Sequence, residues 1–160
     1  MWQELSAVLK EIAEAYTELL DLSQKKRTVL VMVDLAKLDA LLKDEEKVVA
    51  HIQEAESRRR AIVMKLSQSQ SGIRPDSRMT DLYEYAPASL RPSLQQLHKE
   101  LDTVIAQVKE AGDNNKVLIS GALSAVNYQL NRLGKSVVEP AYGTRGQEVV
   151  SREKNFDFQA

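Results

Sequence analysis

The 160-residue chain contains no cysteine. That excludes disulfides, thiolate metal sites and cysteine nucleophiles, and it is compatible with a reducing compartment. Helix breakers are missing from the first part: the first glycine is Gly72 and the first proline is Pro75. Net charge is also missing, since 22 Lys and Arg face 23 Asp and Glu, leaving −1. Such a balance supplies no field to draw in DNA, RNA or an anionic membrane, so nucleic acid is not expected as a main partner. Long apolar runs are absent too. The longest aliphatic stretch, Val29 to Val33, falls far short of the roughly 20 residues of a membrane span, so no membrane insertion is expected. The opening MWQELSAVLKEIAEA carries acidic residues and no uninterrupted apolar stretch, which does not fit a secretory signal. With 43% hydrophobic and 28% charged residues, the composition predicts a single soluble domain with a cytoplasmic location.

What is present is helical periodicity. From Leu5 the apolar positions recur as Leu5, Val8, Leu9, Ile12, Ala15, Tyr16, Leu19, Leu22, Val29, Leu30 and Val33, a three-to-four spacing that makes one stripe. Ser23 and Lys26 interrupt it. A second stripe runs from Leu35 through Leu38, Leu41, Leu42, Val48, Val49, Ile52, Ala55, Ile62 and Val63 to Leu66, with Glu45 and Arg59 where a seam wants apolar residues. The β-branched residues of Val29–Val33 lower helix propensity, and Asp34 is suited to cap a new helix. A hairpin near Met32–Asp34 would pack one stripe against the other, with the Val29–Val33 cluster as core at its tip; exposed, that cluster would instead be an interaction patch. Asp21/Lys25, Asp39/Lys43, Glu54/Arg58 and Glu56/Arg60 have the i, i+4 order that favours helix.

The polar segment SQSQSGIRPDSR, Ser67 to Arg78, reads as a loop. Thr80 is placed to cap a single turn over 80–85, which Pro87 ends. Ser89 then caps a third helix with Pro92 in its first turn. Its stripe runs Leu90, Leu94, Leu97, Leu101, Val104, Ile105, Val108, Ala111, Asn115, Leu118, Ile119, Ala122, Val126, Leu130, Leu133 and Val137. Gly112-Asp-Asn-Asn115 is the expected place for a bend or break, because each glycine costs a helix roughly 1 kcal/mol relative to Ala. Asn115 is either a register-setting polar core residue or the point where the helix turns toward solvent. Residues after Pro140 show no sustained period. The expected fold is therefore all-α: an elongated antiparallel bundle of three long helices over 1–138 (about 2–32, 35–67 and 89–138) with a short helical turn in the connection, followed by a flexible C-terminal tail, 139–160.

Site chemistry is sparse. A di-iron bundle needs Glu-x-x-His on two helices, but Val48 precedes His51 and Gln95 precedes His98, so both histidines read as exposed helix residues. Gly143 and Gly146 lack the Lys-Ser or strand context of a phosphate loop, and no nucleophile elbow occurs. No enzyme, metal or cofactor is expected. Arg58-Arg59-Arg60, flanked by Glu54 and Glu56, reads as a salt-bridged solvated face. The residues by themselves thus describe a helical binding or scaffolding protein with surplus apolar surface on its third long helix, acting helix-in-groove or helix-on-helix.

The order of features resembles the FlgN-type flagellar export chaperones. The resemblance rests on Val33-Asp34-Leu-Ala-Lys-Leu38, on Glu56-Ser-Arg-Arg59, and most specifically on Asn114-Asn115-Lys-Val-Leu118, Glu139-Pro140 and Tyr142-Gly143-Thr-Arg-Gly146-Gln147. It implies a cytosolic chaperone that binds hook-associated (hook-filament junction) proteins before their export through the flagellar type III apparatus and uses no nucleotide itself. The cargo-binding residues it implies are Leu118, Ile119, Ala122, Val126, Leu130 and Leu133. Tyr142 matches the family's tail tyrosine for docking at the membrane export gate, through that protein's cytoplasmic domain, with Gly143 and Gly146 keeping the tail adaptable. The small and polar residues Gly121, Ala125 and Asn127 predict partial disorder of the cargo-binding helix without cargo. The alternative is a coiled-coil scaffold that homo-oligomerises through the same stripes.

Overall fold

The computed structural model describes residues 1–136. The breaker-free opening forms two helices, α1 over Trp2–Met32 and α2 over Leu35–Ser69. A single turn, α3 (Met79–Leu82), follows, and then the longest helix, α4 (Arg91–Ser136). Among the described residues there is no strand. The all-α architecture with three long helices agrees with the periodicity.

The α1–α2 hairpin lies where the sequence places it. Asp34 is extended (φ −87°, ψ 90°) and its carboxylate accepts the Lys37 N–H at 3.1 Å, capping α2. On the other side α1 closes in a Schellman motif: the Val33 N–H donates to the Leu30 carbonyl and the Asp34 N–H to that of Val29. The residue in the left-handed conformation that this motif requires is Val33 (φ 55°, ψ 37°), where glycine is the usual choice. Contrary to the core expectation, the tip is open. Val31, Met32, Val33 and Leu35 are all exposed, because the hairpin ends there and no other element among the described residues covers it.

The two stripes meet along α1 and α2, and the irregularities in each answer one another. Lys26 and Glu45, both out of place in a seam, form an ion pair at 2.7 Å with side chains only 15% and 13% exposed. Arg58 hydrogen-bonds Glu11 across the helices and Arg59 pairs with Glu56 at 2.9 Å. Arg58 and Arg59 are thus salt-bridged, but with other partners than the spacing suggests: Arg58 reaches Glu11 of α1 rather than Glu54, and Glu56 pairs with Arg59 rather than Arg60. The Asp21/Lys25 and Asp39/Lys43 pairs form as predicted.

The core has two parts. In the first, Leu5, Leu9 and Ile12 of α1 and Val63 and Leu66 of α2 pack with Leu94, Leu101 and Val104 of α4. In the second, Ala15, Leu22, Val48 and Ile52 belong to α1 and α2 alone. The connection between α2 and α4 also contributes, since Ile73, Leu82 and Ala86 are buried in the first cluster. Its local details differ from the sequence reading. α2 extends to Ser69, with the Ser67 and Ser69 hydroxyls donating to the Met64 and Leu66 carbonyls. The short turn covers Met79–Leu82, and Asp81, not Thr80, ties its start by accepting the Arg78 N–H at 3.0 Å. α4 begins at Arg91, its first turn anchored on the Pro87 carbonyl rather than on Ser89. The Tyr85 ring lies close over Gly72: a Cβ there would come within 2.2 Å of the Tyr85 hydroxyl, so any larger residue would have to displace that ring.

α4 is one continuous helix through Gly112, Gly121 and Gly134, so the break expected at Gly112–Asn115 is not formed. By internal packing the chain divides into two units, Met1–Leu123 and the part from Ser124 onward.

Candidate functional site

Along α4 the apolar stripe changes character. Leu94, Leu101 and Val104 are buried, and so is Asn115, at 2% exposure. The Asn115 amide Nδ2 donates to the backbone carbonyl of Ser23 in α1 at 2.8 Å, which makes Asn115 a polar core residue that registers α4 against α1. Beyond it, Leu118 is half-buried, Ile119 is 38% and Leu123 is 59% exposed, and Ala122 is exposed. In the second unit, Val126 (54%), Leu130 (60%) and Leu133 (61%) are exposed. All six residues implied as cargo-binding therefore fall on α4, and five of them are exposed. Tyr142, Gly143 and Gly146 lie outside the described residues.

The segment has a second property. Residues 117–131 include no charged side chain, in a protein whose charged content is 28%. An exposed helical segment with Leu, Ile and Val and without charge is the kind of surface that proteins bury against a partner. Leu123, which stripe-counting passed over, belongs with it: it lies four residues after Ile119 and three before Val126, spacings that share a helix face. Val117 and Tyr128 are also exposed, at other register positions.

Beside Asn115, α1 and α4 leave a cleft of about 270 Å³ lined by Leu20, Ser23, Gln24, Arg27, Gln107, Glu110, Ala111, Asn114 and Asn115. Arg27 and Asn114 also line a second hollow of about 270 Å³, whose other walls are Val117 and Leu118.

A polar group elsewhere proves to be a structural tether. The Tyr83 hydroxyl and His98 Nδ1 share a hydrogen bond, and His98 Nε2 lies 3.4 Å from Asp102. Burial, and then the Asp102 charge, raise the Tyr83 pKa. His98 is thus half-buried, not exposed as the sequence suggests, because the connection carrying Tyr83 folds over it. His51 is exposed and lies 3.1 Å from Glu11. Among the described residues no group of three or more His, Asp or Glu side chains is placed to hold a metal ion. None of the described helices is long and apolar enough to cross a membrane.

The described residues thus form an all-α protein with three long helices, the last of which displays an uncharged apolar stretch. Comparison with known proteins identifies the family: residues 1–149 match the FlgN protein family, and the chain belongs to it. It is accordingly a flagellar export chaperone, of a family that is not one of enzymes. No curated protein and no solved structure matches the chain.

Proposed function

We propose that the chain acts in the cytoplasm by binding the C-terminal helical segments of flagellar hook-associated proteins, preventing their premature assembly and delivering them to the export gate. The observation that carries this reading is the exposed, uncharged stretch of α4. Leu118, Ile119, Ala122, Val126, Leu130 and Leu133 take the cargo helix. Tyr142, with Gly143 and Gly146, docks the loaded chaperone on the cytoplasmic domain of the export-gate membrane protein. A cargo segment that orders on binding loses conformational entropy as it does so, which moderates affinity and allows release at the gate. No cofactor, nucleotide or nucleic acid takes part.

Calorimetric titration with the C-terminal segments of the hook-associated proteins from the same genome tests the reading. Saturable one-to-one binding with a negative heat-capacity change is expected. Absence of binding together with a concentration-dependent homo-oligomer would instead establish a scaffold that uses the same face on itself. Tyr142→Ala should leave cargo binding and folding intact while weakening delivery; loss of cargo capture in that variant would refute the division of labour between helix and tail.

A further inference from the structure

Two rows of side chains line the seam between α1 and α4. On α1 the row is Lys10, Ala13, Thr17, Leu20, Gln24 and Arg27; on α4 it is Glu100, Val104, Gln107, Ala111, Asn114 and Leu118. Both rows advance by three and four residues in turn, the seven-residue repeat with which helices receive another helix. Hollows of about 480, 380, 270 and 270 Å³ follow one another along the rows from the Lys10 end to the Arg27 end. Each shares walls with the next, first at Thr17 and Val104, then at Leu20 and Gln107, then at Arg27 and Asn114. They are therefore stretches of one groove, and the rise of α1 from Lys10 to Arg27 gives it a length of about 25 Å. Apolar side chains at Ala13, Leu20, Leu97 and Ala111 are only half-buried along it, while Thr17, Gln24 and Gln107 are exposed. The connection carrying Tyr83 packs on the His98 flank of α4 and lines none of these hollows. Along the rims Lys10, Lys99 and Arg27 are balanced by Glu14, Glu100 and Glu110, so the groove selects by shape and apolar repeat rather than by net charge.

We infer that this groove receives an amphipathic helix of the cargo segment, with apolar residues in a seven-residue repeat, as a fourth long helix laid between α1 and α4. The inference rests on the proposed cargo-binding reading and lengthens its site. Cargo is the occupant because the groove is continuous with the proposed cargo face: its last hollow is walled by Val117 and Leu118, where the exposed uncharged stretch of α4 begins. A helix bound at Leu118 and Ile119 is thereby presented to the open end of the groove. The mixture of apolar and polar side chains in both rows suits a partner that comes and goes, since such interfaces are about as apolar as ordinary surface.

The test uses the full chain and synthetic C-terminal segments of the hook-associated proteins from the same genome. Thr17→Trp fills the middle of the groove from an exposed position, and Glu18→Trp, one residue along α1 and off the row, is the control. Thr17→Trp is expected to weaken peptide binding about tenfold, the effect of one interface position that counts, and Glu18→Trp to leave it unchanged. Because the chain has no cysteine, Lys99→Cys on the groove rim carries a single benzophenone label, about 28 Å along α4 from Leu118. That label should cross-link to the peptide on illumination. Unchanged affinity in a folded Thr17→Trp, or no cross-link from position 99, overturns the groove and leaves the cargo-binding reading standing. If melting shows that Thr17→Trp does not fold, the cross-link alone decides. A label that couples to the chain itself or to a second copy, and does so undiminished when peptide is added, also overturns the cargo as occupant. Failure of the wild type to bind any of the segments overturns both readings.

Discussion

Val33 offers the sharpest test of the hairpin. A left-handed backbone costs a non-glycine residue about 1–2 kcal/mol, and a β-branched side chain is among the least suited to it. Val33 occupies that conformation at φ 55° because the Schellman closure of α1 demands it. Its side chain is 68% exposed, so removing it forfeits little apolar burial. Glycine would relieve the strain but lose about 0.4–1 kcal/mol through its greater freedom in the unfolded chain. The balance predicts that Val33→Gly stabilises the protein by about 0.5–1 kcal/mol. At this chain length that raises the melting temperature by about 1–4 °C. Val33→Ala retains a Cβ and should recover only part of the gain. Urea unfolding followed by circular dichroism, with melting curves alongside, measures both variants. A Val33→Gly protein no more stable than the wild type would refute the argument, because it would mean either that the valine side chain is held by packing or that the turn is not left-handed.

Four further outcomes follow from the same packing. Lys26→Met and Glu45→Leu should each cost about 3 kcal/mol by leaving a largely buried charge alone, while the double variant should lie within about 1 kcal/mol of the wild type; additive losses in urea unfolding would show that the pair is not coupled. Arg58 hydrogen-bonds Glu11 and holds its carboxyl below the usual 4.5. A lowered folded pKa gives stability that is fully present above the unfolded carboxyl's pKa and lost as pH falls through the folded one, so the advantage of the wild type over Glu11→Gln should be full at pH 7 and shrink as melts are taken below the usual carboxylate range. No neighbouring atom lies within 4 Å of where a Cβ would sit at Gly112, so Gly112→Ala should stabilise by up to about 1 kcal/mol, and destabilisation would reveal a steric role for that glycine. Leu94→Ala, at a fully buried position, should cost about 2–5 kcal/mol. Leu130→Ala should change folding by less than about 0.5 kcal/mol while weakening peptide binding, and equal losses of stability from the two would contradict their assignment to core and surface.

Much of this protein is decided locally. Three long helices follow from sustained three-to-four spacing, helped in the first two by the absence of breakers before Gly72, and the turn at Asp34 follows from a side chain suited to accept an amide three residues on. Family membership is equally legible, because motifs such as Asn114–Leu118 are contiguous. Periodicity states which face of a helix is apolar, but whether that face is covered depends on where the other helices end. Hence the single stripe of α4 is core at Leu94, Leu101 and Val104 and surface at Ile119 and Leu123, although the residue types are alike. For the same reason the Val31–Val33 tip is open, not core. Ile73, Leu82 and Ala86 escaped notice because a connection that plugs the end of a bundle needs no regular spacing to do so. The polar interruptions at Lys26, Glu45 and Asn115 acquired meaning only in three dimensions. Each is unfavourable alone, and its partner lies 19 residues away in one case and 92 in the other, across contacts that only packing creates.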